Sequence, residues 1–172
     1  MSTTIRLARP SDLRHLAAIE DAGSVLFEEV LGPIAGGPLS TPAPSGGDRD
    51  LTGTLLVAST RGEGGVVGFA HLTTPDAHAH LEQVSVLPAY ARRGIGTALV
   101  RAVMEEARWA GHDRLSLCTF RDVPFNGPFY RSIGFTELAR LEPFHVRLRA
   151  SKRAAGLDDI GARIVMSASL AR

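Results

Sequence analysis

Two arginines and two glycines, in Arg92-Arg93-Gly94-Ile95-Gly96-Thr97, sit between the apolar run Val84-Ser85-Val86-Leu87 and a segment that continues as Ala98-Leu99-Val100. A helix beginning at this point presents backbone N–H groups without intrahelical partners, and the positive end of its dipole. Glycines let a ligand approach that backbone, and Arg92 and Arg93 add two full charges, so the segment reads as a cradle for a diphosphate. It is not a Walker A loop, because no lysine follows Gly96. It is not a complete dinucleotide fingerprint either. Gly94 and Gly96 supply two members of G-x-G-x-x-G/A, but position 99 is Leu. Upstream, His80 and Glu82 share one strand parity; a β-bulge, common beside active sites, would change which of Glu82 and Gln83 faces the cleft. Downstream, Tyr130 carries a hydroxyl with a reference pKa near 10 that can donate a proton. Plainer readings stay open for each: a Gly-rich strand-turn-helix, an exposed strand carboxylate at Glu82, and core aromatics at Phe129 and Tyr130.

These residues need elements to hold them. Thr4–Leu7 reads as a first strand, followed by a helix from Leu13 with Ser11 or Asp12 as its cap, and a second helical stretch over Ser24–Leu31. Gly32–Asp50 is rich in Gly, Pro and Ser, which predicts a long connection without regular structure, either a lid over an acceptor site or a surface insertion. Leu55–Ala58 and Val66–Leu72 form a hairpin through the Gly62–Gly65 turn, and Ala79–Val86 is the strand that leads into the basic loop. The helix from about Gly94 to Ala110 places Ile95, Leu99, Ala102 and Val103 on one face, with Gly111 ending it. Arg114–Phe120 is continuously apolar enough for a sheet interior; Pro124–Ile133 is a short helix stopped by Gly134; Phe135–Leu141 returns as a strand. Arg147–Gly156 and Arg163–Met166 close the chain as a helix and a strand. The order gives a mixed α/β (α+β) fold, largely antiparallel at its start, with a βαβ unit at its centre.

Composition narrows the class. The 172 residues suit a single domain over 1–172, with one core. With 19 basic and 18 acidic residues and a net charge of +1, a dedicated nucleic-acid partner is not expected. No apolar run reaches the roughly 20 residues that cross a membrane, and Met1–Arg6 lacks the apolar core of a signal peptide, so a cytoplasmic location is expected. The one cysteine, Cys118, cannot form an intramolecular disulfide, and its neighbours Leu117 and Phe120 suggest a buried packing role. His78 and His80 are close, yet no carboxylate or cysteine cluster completes a metal site, so no metal is expected.

Two motifs carry a resemblance. Val86-Leu87-Pro88-Ala89-Tyr90-Ala91-Arg92-Arg93-Gly94-Ile95-Gly96-Thr97-Ala98-Leu99 resembles the acetyl-CoA loop, [QR]-x-x-G-x-[GA] after V-x-P, of the GNAT superfamily of N-acetyltransferases. Ala91 stands where that pattern has Gln or Arg. Asn126-Gly127-Pro128-Phe129-Tyr130-Arg131-Ser132-Ile133-Gly134-Phe135 resembles the family's second signature, with F-Y-x-x-x-G-F matched fully and the asparagine three residues before the Phe-Tyr pair. The motifs follow in the family's order with a strand between them, and the resemblance is strongest from Leu81 to Phe135.

The resemblance implies a GNAT fold: a mixed, mostly antiparallel sheet of six to seven strands with helices on both faces. It implies direct attack of an amine on the thioester of acetyl-CoA, without a covalent enzyme intermediate. Glu82 would be the base, with His80 as the next candidate and His71 and His78, taken as loop or surface residues, behind it. The backbone N–H of Val84 or Val86 would stabilise the oxyanion, with Ser85 between them on the strand that pairs with pantetheine. Arg92, Arg93, Gly94, Ile95, Gly96 and Thr97 would hold the pyrophosphate. Asn126 would bond the pantetheine arm beside Phe129, and Tyr130 would protonate the leaving thiolate. The expected partners are acetyl-CoA and an amine acceptor, a small molecule in preference to a protein N-terminus or lysine, and a homodimer through the last strand is an option. A non-catalytic acyl-CoA sensor on the same fold is the competing class.

Overall fold

The computed structural model describes residues 3–60 and 65–171. In chain order its elements are β1 (Thr3–Leu7), α1 (Leu13–Ala22), α2 (Ser24–Leu31), α3 (Gly46–Asp50), β2 (Thr54–Thr60), β3 (Val66–Thr73), β4 (His80–Val86), α4 (Ile95–Trp109), β5 (Arg114–Phe120), α5 (Gly127–Ser132), β6 (Thr136–Glu137), α6 (Pro143–Ala154), α7 (Leu157–Ile160) and β7 (Arg163–Ser169). The strands make one seven-stranded sheet in the order β1-β2-β3-β4-β5-β7-β6. Every neighbouring pair is antiparallel except β4 and β5. Parallel strands need a crossover, and α4 is that crossover.

Helices cover both faces. On one, the α4 residues Ile95, Leu99, Val103 and Ala107 pack with Leu56, Ala70, Leu81, Leu117 and Met166 of the sheet. Each such Ile, Leu, Val or Met side chain removed from water contributes about 1.5–3 kcal/mol, so α4 is fixed by its apolar stripe. On the other face, Leu16 and Ile19 of α1 pack with Leu55, Val57 and Phe69.

Several expectations are corrected. Asp12 does occupy the N-cap of α1, but its carboxylate makes no cap bond. It instead accepts from the Arg6 guanidinium at 2.6 and 3.1 Å and from the Arg9 backbone N–H at 2.7 Å. The Gly32–Asp50 connection is not structureless: it holds a 3-10 turn at Pro38–Ser40 and the helix α3. Ser45 caps α3 by accepting from the Asp48 N–H at 3.1 Å. Gly46 lies so close to α1 that an added Cβ would stand 2.1 Å from the Leu13 carbonyl oxygen, so backbone contact anchors the segment. The strand expected over Phe135–Leu141 shrinks to Thr136–Glu137, with one further bond from the Leu138 N–H to the Val165 carbonyl. Helix α6 starts at Pro143, four residues earlier than its amphipathic pattern suggests, because Glu142 and His145 form a reciprocal capping box around Pro143. Of the Gly62–Gly65 turn, residues 62–64 lie outside the described residues.

Candidate active site

Helix α4 opens on Gly94, whose φ of +77° is the left-handed conformation that favours glycine. No side chain caps the helix, so the first N–H groups after Gly94 lack protein partners of that kind. Gly96 is different. An added Cβ there would make only ordinary contact, 3.6 Å from the Phe129 ring. Protein packing therefore does not require glycine at position 96, whereas a ligand lying on the backbone would. Arg92 and Arg93 are exposed at this helix end, and the Arg93 guanidinium lies 5.4 Å from the Tyr90 ring centroid. Ile95 is buried in the core and Thr97 is half-buried, so Ile95 faces the helix end through its backbone alone. These groups suit a diphosphate: free N–H donors, a helix dipole and two guanidiniums.

The sheet opens beside this helix. Strands β4 and β5 pair only through His80 with Ser116 and Leu81 with Leu117. Beyond Leu81 they part, and β4 continues to Val86 along β3 alone. The Leu87 N–H bonds the Val67 carbonyl at 2.9 Å on the β3 side. Backbone groups alternate along an antiparallel strand, so the N–H groups of Val86 and Val84 point away from β3, into the gap. The same alternation turns the Ser85 backbone to β3, and its hydroxyl meets the Gln83 amide at 2.9 Å. Ser85 thus stands apart from the gap that Val84 and Val86 line.

A bulge sets the Glu82 side chain. The register runs Leu72 with Leu81 and then His71 with Gln83, leaving Glu82 as the extra residue. Glu82 faces a cavity of about 400 Å³ together with Thr52, Thr73, His80, Phe144 and Leu148. Its carboxylate lies 3.8 Å from His80 Nε2 and 3.8 Å from Lys152 Nζ. His80 is buried. Burial first, then the nearby His145 and Lys152, pushes its pKa down to about 3, so its ring is neutral near pH 7. His71 is not a loop residue: it is buried on β3, and burial with the neighbouring Arg49 lowers it to about 4. His78 is exposed and stacks on Phe144 at 5.1 Å between centroids.

Across the gap, α5 carries the second motif. Asn126 is its N-cap residue but makes no side-chain cap bond, which leaves the amide for another partner. The Tyr130 ring meets Phe129 and Phe135 edge-on, with centroids 5.0 and 5.7 Å away. Burial pushes its phenol above the ordinary value, so the hydroxyl keeps its proton throughout the neutral range. Cys118, expected to be buried, is half-buried, with its sulfur 3.7 Å from the Arg163 guanidinium.

Four residues around Glu82 escape sequence reasoning. Arg49 of α3 is buried, pairs with Glu20 of α1 and lies 5.3 Å from the Phe69 ring centroid. Lys152 and His145 come from α6, and Ser116 from β5. Only His145 had a local signal, the Glu142-Pro143 start three residues before it. Among the described residues, no group of three or more His, Cys, Asp or Glu could hold a metal ion. Nor is any helix there long and apolar enough to cross a membrane.

The fold has close counterparts among solved structures. One is the ribosomal-protein-S18-alanine N-acetyltransferase of Escherichia coli, with a TM-score of 0.67 at 18% identity over 99% of this chain and 96% of that one. The PaiA N-acetyltransferase of Thermoplasma acidophilum, solved with coenzyme A, gives 0.66 at 16% identity over 98% and 99%. N-acetylglutamate synthase from Neisseria gonorrhoeae, solved with coenzyme A and N-acetylglutamate, gives 0.64 at 18% identity, over all of this chain and 36% of the other. At these identities the likeness is one of fold. The sequence itself matches the family model for acetyltransferases of the GNAT family over residues 35–135, a span that takes in α3, the bulged strand β4, the helix end at Gly94 and the motif through Tyr130. The chain belongs to the acetyltransferase (GNAT) family.

Proposed function

We propose that this protein transfers the acetyl group of acetyl-CoA to the primary amine of a small molecule, by direct attack within a ternary complex. The observation that carries the reading is the parting of β4 from β5 after Leu81, which puts the Glu82 cavity, the gap and the open end of α4 along one strand. Acetyl-CoA supplies the activated thioester carbonyl. The N–H groups of Gly94, Ile95, Gly96 and Thr97, with Arg92 and Arg93, hold the pyrophosphate. The backbone of Val84 and Val86 pairs with the pantetheine arm like an added strand, and one of the two N–H groups donates to the carbonyl oxygen as it becomes an oxyanion. The Asn126 amide bonds the same arm, and Phe129 packs beside it.

Glu82 accepts the proton of the acceptor ammonium, directly or through one water. It fits this role better than His80, whose lowered pKa leaves too weak a proton acceptor at neutral pH. Tyr130, held protonated by burial, gives its proton to the departing thiolate. The cavity at Glu82, about 400 Å³, has the capacity of a small-molecule site, which favours a small acceptor over a polypeptide segment.

Thermal unfolding with acetyl-CoA, CoA, ATP and NAD, each at about 1 mM, tests the reading. Ligand at 100 times its dissociation constant adds roughly 2.7 kcal/mol. Stabilisation by the two CoA species alone is expected, followed by amine-dependent thiol release in a screen of small amines. No shift with either CoA species would remove the reading.

A further inference from the structure

Behind Glu82 lies a buried chain of three polar side chains that the transfer reaction does not itself employ. The Glu142 backbone N–H donates to His145 Nδ1 at 3.2 Å. His145 Nε2 lies 3.0 Å from Ser116 Oγ, and Ser116 Oγ lies 2.9 Å from His80 Nδ1. His80 Nε2 then faces the Glu82 carboxylate at 3.8 Å. His145, Ser116 and His80 are all buried, and they come from α6, β5 and β4.

Their proton positions follow from one fixed donor. A backbone N–H can only donate, so His145 Nδ1 is the acceptor. Burial lowers the pKa of His145 as well as of His80, so both rings are neutral and each carries a single N–H. The proton of His145 is therefore on Nε2 and goes to Ser116 Oγ. The Ser116 hydroxyl has one proton to give. The Ala79 carbonyl accepts from the Ser116 backbone N–H at 3.1 Å and is also in reach of the hydroxyl at 3.3 Å, but His80 Nδ1 is nearer, and a carboxylate facing His80 Nε2 favours a proton there over a lone pair. His80 Nδ1 is thus an acceptor, and its ring proton sits on Nε2, turned to Glu82.

We propose that the His145–Ser116–His80 chain is a positioning device that locks His80 in its Nε2–H tautomer and so aims a neutral donor at the Glu82 carboxylate. The role rests on the reading of Glu82 as proton acceptor; the tautomer does not. A neutral donor faces the carboxylate without adding a further cation that would repel an incoming ammonium. The device therefore fixes which ring atom the carboxylate meets at the cavity wall. The other charges near Glu82 are Lys152 of α6, Glu20 of α1 with its partner Arg49 of α3, and Arg147 of α6 at the cavity wall. None of them belongs to the chain, although Lys152 also acts on His80.

The test is a long-range proton–nitrogen NMR spectrum of histidine-labelled protein near pH 7, with His80 assigned through His80→Gln. It is read beside kcat/KM against pH for the parent, Ser116→Ala and Glu82→Gln. His80 and His145 are both expected as Nε2–H tautomers. In Ser116→Ala, His80 should become a tautomer mixture, and kcat/KM for the amine should fall roughly threefold to tenfold, with KM for acetyl-CoA unchanged. His80 found as Nδ1–H in the parent overturns the proposal whatever Glu82 does, and needs no variant to fold. A kcat/KM that Glu82→Gln lowers but Ser116→Ala leaves unchanged also overturns it, while keeping Glu82 as base. A kcat/KM untouched by Glu82→Gln removes the base reading, and with it the role proposed for the chain, while the spectrum still decides the tautomer.

Discussion

In the proposed reaction, Glu82 and Tyr130 divide the proton work between two environments. Glu82 is one-third exposed, beside a cationic amine and a neutral imidazole, and can take up a proton and release it to water. Tyr130 packs edge-on against the Phe129 and Phe135 rings, and burial keeps the proton on its hydroxyl through the neutral range. Glu82→Gln is expected to reduce kcat by about 10²–10⁴-fold near neutral pH. A steady-state profile that overlays the parent would end its assignment. Tyr130→Phe keeps the ring packing and removes only the donor. It should lower kcat by about 10²-fold or less with CoA affinity preserved, and a calorimetric titration alongside the kinetics checks both halves.

At the scale of the element, the open end of α4 makes a prediction that separates binding from folding. In Gly96→Ala the added methyl meets only the edge of Phe129, and alanine gains up to about 1 kcal/mol of helix propensity over glycine. The apo protein should melt at the same temperature or higher, while CoA binds at least about tenfold more weakly, as read by calorimetry. Equal CoA affinity would mean that no ligand lies on this backbone. The same helix shows why the sequence was readable where it was. Its apolar period, Gly94 at a left-handed turn and the strand before it are local features, and all three are legible from neighbouring residues. Helix α3 was not. It is five residues long and owes its place to the contact of Gly46 with α1 and to the part-buried Arg49–Glu20 pair, which joins residues 29 positions apart. The shortened β6 and the early start of α6 went unread for a related reason, since one depends on pairing with β7 and the other on the reciprocal bonds of Glu142 and His145. The bulge at Glu82 arises from the register between β3 and β4, which no stretch of β4 encodes by itself.

For the whole molecule, the three buried histidines tie stability to acid. His80 and His71 have pKa values lowered to about 3 and about 4, and His145 is lowered as well. The unfolded chain takes up protons on these rings below about pH 6.5, while the folded chain resists until far lower pH. Stability from this source is complete above pH 6.5 and drains away as pH falls towards 3–4. Urea midpoints should drop between pH 6.5 and 4.5, and His80→Gln should flatten that slope even if it lowers the midpoint at pH 7. An unchanged slope would show that His80 is solvated in the folded protein.

The parting of β4 and β5 gives the sheet a fulcrum. Leu81 and Leu117 form its last rung, with α4 leading off the β4 leaf and α5 off the β5 leaf. From Leu81 to Val86 is five residue steps, about 16 Å at 3.3 Å each. One degree of opening at the rung thus displaces Val86 by about 0.3 Å relative to Tyr130. A misplacement of 1 Å can cost about 10²-fold in rate. In the proposed reaction the buried leucines act as a protractor, and a methyl group added or lost there is expected to be felt as an angular error at a thioester they never touch.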